Sequence, residues 1–415
     1  MHRSVGIALI DQALLSLFNL GLNLVLISLA APVEFGRFIF ASAVVLLMTS
    51  LQNALVATPL AALIPGRTSE QQAATATTII SADVALRWGA AVVTPLLCLL
   101  TDHDIRFLGA AACVAFTSLA RETARALALA HERTIECLRL DAGAVAASIL
   151  AIAALWWVVP PATAALGGIA IGNGLALLLL VRTRIPHYLP VIEALRTYRS
   201  TFWADTQWSL IGAGTTELQY RSYVFALELF RDAISLATVQ AGRLLLGPLP
   251  LVVGAWGRVA RPAMARHLAT GSARNMIQLT AQGMAYVLIV AACYCLVLYL
   301  LWPIVEARFF NGRYSDVGRM TTAWAIYMVM VISHMVLSVP LQASMRLKEL
   351  AQVTMATAVL SCILMAGLTT NVPVIYAVYA LIATEFVALV WILVLVIRLA
   401  RHAGTPTLQP TAPAL

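Results

Sequence analysis

The chain has 415 residues, 61% of them hydrophobic and only 11% charged. A soluble domain averages roughly 45–50% apolar and about 25% charged residues, so this apolar excess cannot be hidden inside a water-soluble fold. The 27 cations against 19 acids leave a net charge of +8, which on such a chain reads as loops retained in the cytoplasm and not as a nucleic-acid surface. Every cation but Lys348 is an arginine, and Arg346-Leu347-Lys348-Glu349 has no glycine ahead of the lysine. A phosphate-binding loop of the GxxxxGK[ST] kind is therefore excluded, and with it ATP hydrolysis by that route.

Apolar runs of membrane length, separated by Pro, Gly or charge, fall at 6–30, 38–62, 81–100, 105–127, 140–160, 163–182, 205–228, 233–256, 278–302, 319–343, 351–371 and 374–398. At about 20 residues per crossing, twelve helices occupy ~240 residues and leave little room for a soluble domain. The first run carries Asp11 and no small-x-small cleavage site, so it is expected to stay in the protein. With the N-terminus inside, the inner segments collect Arg3, Arg67, Arg133, Arg139, the groups Arg182 to Arg199 and Arg258 to Arg274, Arg346, Lys348, Arg398 and Arg401. The outer segments hold only Arg37, Arg106, Arg231, Arg308, Arg313 and Arg319, and this asymmetry predicts both termini in the cytoplasm. The six cysteines lie in or beside apolar runs, and Cys293-Tyr294-Cys295 sets its thiols on different helix faces. Neither a metal clip nor a redox CxxC motif is expected, and no cofactor is implied.

Residues 11–41 laid on 205–235, an offset of 194, match Asp11 with Asp205, Ser28 with Ser222, Glu34 with Glu228 and Arg37 with Arg231. The offset is near half the chain and aligns the first run with the seventh. It predicts an all-α integral membrane protein of twelve helices in two six-helix lobes, 1–182 and 205–400, related by a pseudo-two-fold axis along the membrane normal with a central cavity between them. A cytoplasmic connector at 183–204 joins the lobes, and a Pro-, Thr- and Ala-rich disordered tail follows at 401–415.

A charge at the centre of a membrane helix costs roughly 2.5–3.5 kcal/mol on insertion scales, so one that persists faces a wet cavity or a partner. Asp11, Gln12, Ser16, Asn19 and Asn23 share one face of the first helix, a stripe expected to face water, with hydrogen-bonded helix packing as the alternative. In the seventh helix Glu217 and Arg221 are four apart on the face that also holds Thr216, Tyr220 and Tyr223. They either neutralise each other or share Arg221 with a passing phosphate or carboxylate through its planar fork of donors. In the eighth, Gln240 and Arg243 precede Gly247-Pro248-Leu249-Pro250, whose prolines must interrupt the hydrogen-bond ladder and suit a gate. Arg243 has no acid within four positions; it is the first candidate for anion binding, a partner such as Glu217 or Asp205 being the alternative. Asn53 and Thr58-Pro59, after Gln52, form a second polar, bendable stretch. Asp83 and Arg87 read as a structural pair, and Arg121, Glu122 and Arg125 as a solvated helical extension. Glu385 and His334 read as isolated residues and, with Asp205, as candidates for ion coupling.

The segment Asp11 to Ala41, ending Ala31-Pro32-Val33-Glu34-Phe35-Gly36-Arg37-Phe38-Ile39-Phe40-Ala41, resembles the first helix pair of bacterial polysaccharide flippases, in which an acidic residue, Gly and an aromatic occupy the first outer turn. That family lies in the multidrug/oligosaccharidyl-lipid/polysaccharide exporter superfamily, with two six-helix lobes and a V-shaped cavity. The resemblance extends over nearly the whole chain in span count and sidedness. It implies a transporter of the bacterial inner membrane that moves an undecaprenyl-diphosphate-linked oligosaccharide to the outer leaflet by alternating access, for exopolysaccharide or O-antigen assembly, with membrane lipids and other glycan-assembly proteins as partners. It places Arg221 and Arg243 on the diphosphate or acidic sugars, and Asp11, Asn19, Asn23, Asn53 and Gln240 along the sugar path; the bends at Pro59, Pro248 and Pro250 are read from the prolines themselves. A cation-coupled multidrug exporter of the same superfamily, a membrane glycan polymerase or ligase, and a non-transporting scaffold are the competing readings. The enzyme is disfavoured by short outer loops, the longest running only from Pro303 to Gly318.

Overall fold

A computed structural model of the chain describes residues 2–64, 68–180, 188–269, 272–314, 316–344, 346–368 and 372–403. Residues 183–187 of the predicted connector, the tail from 404 onward and the side chain of Asp205 lie outside what is described. Every regular element among the described residues is helical. The order is α1 (His2–Leu29), α2 (Pro32–Gln52), a π-helical turn (Asn53–Ala57), α3 (Thr58–Leu63), α4 (Ser69–Cys98), α5 (Ile105–Ala130), α6 (Thr134–Leu155) and α7 (Pro161–Leu180). There follow α8 (Val191–Thr201), α9 (Trp203–Phe230), α10 (Ala233–Leu244), α11 (Leu249–Ala269), α12 (Ala273–Val305), a second π-helical turn (Glu306–Phe310), α13 (Val317–Ala343), α14 (Leu347–Leu368) and α15 (Ile375–Ala403).

All twelve predicted runs fall on helix. Nine helical stretches among the described residues are long and apolar enough to cross a membrane, which makes this a multi-pass membrane protein. The other three runs are α5 and α9, which carry several charges, and the eighth run, which is broken into α10 and α11. The break falls where the prolines require it: Pro248 ends the turn and Pro250 occupies the second position of α11, where a missing N–H costs nothing.

The chain packs into two compact units, Met1–Gln240 with Arg308–Tyr314, and Ala241–Ala307 with Ser315–Leu415. The half-chain correspondence is corrected in register. Leu29, which ends α1, answers to Phe230, which ends α9, and Pro32 answers to Ala233, an offset of 201 and not 194. The shorter offset aligned Glu34, in the first turn of α2, with Glu228, in the last turn of α9, so its polar matches do not hold equivalent places.

Local chemistry sets the helix ends. Thr68 and Gln71 form a capping box at α4, and Asp104 Oδ1 accepts the Arg106 amide at 2.9 Å. Asp232 Oδ1 does the same for Ser235 ahead of α10, at 2.7 Å. In the first unit α6 and α7 approach closely because Gly168 and Gly172 lie one turn apart on α7. A Cβ at Gly172 would stand 2.5 Å from the Ser148 nitrogen, and one at Gly168 would stand 2.8 Å from that of Ile152, the small-xxx-small contact of membrane helices.

The π-helical turn at 53–57 has a cause in Pro59, which has no N–H to offer the preceding turn. The carbonyl of Leu55, four residues earlier, instead accepts the hydroxyl of Tyr198 on α8 at 2.6 Å. Tyr198, Ala194 and Phe202 pack with Val56, Leu60, Ile64 and Ile79 in one buried cluster, so the helix within the connector is docked on the bend of the second span.

Candidate functional site

A polar cavity of about 450 Å³ opens within the first unit. Its walls come from α1 (Gln12, Ser16, Asn19, Asn23), α5 (Ser118, Arg121, Glu122, Arg125), α7 (Asn173), α9 (Arg221, Tyr223) and α10 (Gln240), with Ser42 and Thr49 of α2 between them. Four of the five stripe residues of α1 are thus cavity residues. Asn173 Nδ2 donates to Ser118 Oγ at 3.1 Å, and the Tyr223 hydroxyl donates to Gln240 Oε1 at 2.6 Å. Asn23 donates to the Asn19 carbonyl at 2.7 Å, while its own amide oxygen and that of Asn173 are buried without a hydrogen-bond partner. Unpaired acceptors beside hydroxyls and amides suit a ligand that offers O–H or N–H groups.

Asp11, expected on the wet stripe, is buried behind that wall. Its Oδ2 lies 3.1 Å from Arg125 Nη2, and the Nε of the same guanidinium lies 2.6 Å from Asp141 Oδ2 on α6. Glu122 takes the Nη1 of Arg125 at 2.9 Å, and Arg121 stands 3.4 Å from Glu122 and 3.7 Å from Asp141. The expected solvated extension is therefore a part-buried ion network joining α1, α5 and α6, because two of its acids, Asp11 and Asp141, arrive from other helices. Asp11, Cys137 and Asp141 bring ligand atoms within 4.8 Å of one another, a donor set a cation could use; Arg125 supplies the positive charge there.

Glu217 and Arg221 pair across one turn of α9, and Ser50 of α2 donates to the other oxygen of Glu217 at 2.7 Å. Arg121, Arg125 and Arg221 thus face four carboxylates: Asp11, Glu122, Asp141 and Glu217. Asn53 is exposed at the start of the π-helical turn and is not a wall residue of this cavity. Its neighbour Gln52 is buried and donates to Asp83 Oδ1, the Leu119 carbonyl and Thr123 Oγ1 at 2.8, 2.8 and 2.9 Å. Asp83 also binds Arg87 at 2.5 Å. This node fixes α2 to α4 and α5 immediately before the bend.

In the second unit Arg243, at the end of α10, stands over the Trp324 ring with 5.3 Å to its centroid, and the indole face attracts the cation. His334 and Glu385, expected as isolated groups, are bonded to each other. The His334 Nδ1 lies 2.6 Å from Glu385 Oε1 between α13 and α15, with the glutamate 1% exposed. Removing one partner leaves a buried polar group unsatisfied, at roughly 1–3 kcal/mol or more when it is charged. Glu385→Leu is therefore expected to lower the melting temperature of the purified protein well below that of the double variant His334→Phe/Glu385→Leu. Arg313, in an outer segment, is tied to the first helix: its guanidinium donates to the Ser28 carbonyl at 2.7 Å and the Ala30 carbonyl at 3.3 Å, closing the end of α1.

Sequence reasoning missed the Asp11–Arg125–Asp141 network, Asn173 and Tyr198. Polar residues within apolar runs were the available signal for Asp141 and Asn173; no local signal marks Tyr198.

The fold defines an all-α, multi-pass membrane architecture of the type built by transporters of the MOP superfamily. No protein-family model and no curated protein matches the sequence; the likeness lies in solved structures. An inward-facing conformation of a multidrug resistance MATE family transporter of that superfamily superposes with a TM-score of 0.72 at 12% identity, covering 93% of this chain and 95% of the other. The lipid II flippase MurJ in its inward closed conformation gives 0.73 at 11% identity, over 97% and 90%. A MOP superfamily transporter from Pyrococcus furiosus, described by the reversed polarity of its binding pocket, gives 0.60 at 12%, over 95% of each chain.

Proposed function

We propose that the protein is a flippase that carries an undecaprenyl-diphosphate-linked oligosaccharide from the cytoplasmic to the outer leaflet of a bacterial inner membrane by alternating access, in exopolysaccharide or O-antigen assembly. The observation that carries this reading is the cavity in which amides and hydroxyls lie beside Arg221, Arg121 and Arg125. Sugars offer hydroxyls to Asn19, Asn23, Asn173 and Gln240, and a diphosphate competes with Glu217 for the fork of Arg221. Arg243 takes the anion at another stage of the cycle, and the bends at Pro59 and at Pro248–Pro250 act as hinges. The lobes are taken as 1–182 and 205–400 with both termini in the cytoplasm, and the protein works as a transporter without ATP chemistry. Other glycan-assembly proteins are its expected partners, and Asp205, His334 and Glu385 the groups for ion coupling.

The test is a leaflet-accessibility assay in vesicles holding the full-length protein and a labelled lipid-linked oligosaccharide. A charge-assisted bidentate contact contributes about 1.5–3 kcal/mol, so Arg221→Ala and Arg243→Ala are each expected to slow translocation by about ten-fold or more. Wild-type rates in both variants would remove the assignment of these arginines, and no translocation by the wild type would remove the function.

A second reading is supported by the excess of carboxylates over arginines around the cavity, which suits a cation-coupled multidrug exporter. Drug sensitivity on deletion, with surface glycan unaltered, is its expected signature.

A further inference from the structure

The pocket beneath α8 lies apart from the polar cavity and has different chemistry. It encloses about 610 Å³ and is walled by Leu55, Val56, Ile79, Leu86 and Leu195, with Arg199 and Trp203 also on its wall. Its acidic member, Asp83, is closed off: its side chain is 0% exposed and it is held by Arg87, Gln52 and Thr123. The charge left facing outward is Arg199, which is exposed and has no ion-pair partner among the described residues.

The helix that carries Arg199 is built for a membrane surface. Ala194 and Tyr198 face inward, while Ile192 is 67% exposed and Leu195 44%, beside the exposed Arg196 and Arg199, and Trp203, which opens α9, is 41% exposed. An exposed apolar row flanked by arginines and an indole is stable where hydrocarbon meets head groups.

We propose that this pocket is a site for an anionic phospholipid, with one acyl chain in the apolar cleft and its phosphate on Arg199. Charge complementarity selects the occupant, because an uncharged chain would leave Arg199 unmatched and a soluble anion would leave the cleft wet. The site borders the bend of the second span, since Leu55 and Tyr198 line it and are also the pair joined by the hydrogen bond that answers the missing N–H of Pro59. A lipid seated there packs α8 onto the bend and makes that hinge sensitive to the charge of the surrounding membrane. The inference is independent of the transported substrate.

Native mass spectrometry of the full-length protein in detergent tests it, with phosphatidylglycerol and phosphatidylcholine of identical chains as probes. One arginine near an anionic lipid surface is worth about 1 kcal/mol, or roughly five-fold. The wild type is expected to retain phosphatidylglycerol over phosphatidylcholine, Arg199→Gln to lose about five-fold of that preference, and Ala85→Phe, which fills the cleft, to reduce adducts of both lipids. Arg199 is exposed, so its variant is expected to melt with the wild type. An unchanged preference in Arg199→Gln overturns the site. So does an Arg199-dependent adduct formed by undecaprenyl phosphate and not by phosphatidylglycerol, which would make the pocket part of the substrate path.

Discussion

Arg125→Ala is expected to abolish most of the folded protein. The guanidinium lies within 3.1 Å of Asp11, 2.9 Å of Glu122 and 2.6 Å of Asp141, and the side chain of Asp141 is 0% exposed. Removing it leaves three acids from three helices facing one another with only Arg121, at 3.4–3.7 Å from two of them, to offset their charge. Breaking a buried ion network by deleting one member costs roughly 3–5 kcal/mol, because the remaining charges stay desolvated. The measurement is the monodisperse fraction and melting temperature of the detergent-purified protein. Arg121→Ala, which leaves the three close contacts of Arg125 intact, should cost much less. Arg125→Met combined with Asp11→Asn and Asp141→Asn should recover most of the loss, because the charges leave together. Melting of Arg125→Ala alongside the wild type would mean that the network is wet and carries little of the fold.

The same cluster explains which parts of the molecule were legible in the sequence. The spans, the break at Pro248–Pro250 and the polar face of α1 are local patterns, set by residues within a few turns of one another. Arg125 read as a solvated charge because it lies at the inner end of an apolar run, and nothing local shows that Asp11 and Asp141 converge on it from 114 residues before and 16 after. His334 and Glu385 are 51 apart and looked solitary for the same reason. Pro59 announced a bend, yet the group that answers its missing hydrogen bond, Tyr198, comes from 143 residues beyond Leu55. The repeat was visible as an idea and wrong in register, because a few matched polar residues weigh less than the helix ends they must share.

The arrangement also changes how the cavity cations act. Arg121, Arg125 and Arg221 are held by carboxylates, so an arriving anion meets no bare charge. It can engage Arg221 beside Glu217 or in competition with it, and Glu217 has Ser50 as a second partner. In the proposed cycle such an exchange makes the net charge of the site depend on occupancy.

Gly36→Ala should be nearly as damaging as loss of Arg125, although it adds a single methyl group. The Cβ would lie 1.9 Å from the Ala233 carbonyl oxygen and 2.6 Å from its carbon, both backbone atoms with no rotamer to change. Helix α2 and the start of α10 would have to separate, and overpacking of this kind costs about 1–3 kcal/mol or more. The cost falls on a crowded junction. Glu34 accepts the Ala162 amide at the start of α7 at 3.2 Å and binds Arg37 at 2.8 Å, Arg37 reaches Asp102 at 3.0 Å, and the Phe35 ring meets Tyr314 edge-on at 6.5 Å. Glu34-Phe35-Gly36-Arg37 is thus a four-way joint, in which each residue holds a different neighbour and the glycine supplies the clearance. Gly21→Ala, on α1 with nothing within 4 Å of its added Cβ, is the matched control and should be neutral or slightly stabilising, by up to about 1 kcal/mol. Melting curves for the two variants separate the explanations: equal behaviour would show that clearance at residue 36 does not matter, and a large loss confined to Gly36→Ala would fix backbone contact as the reason for a glycine there.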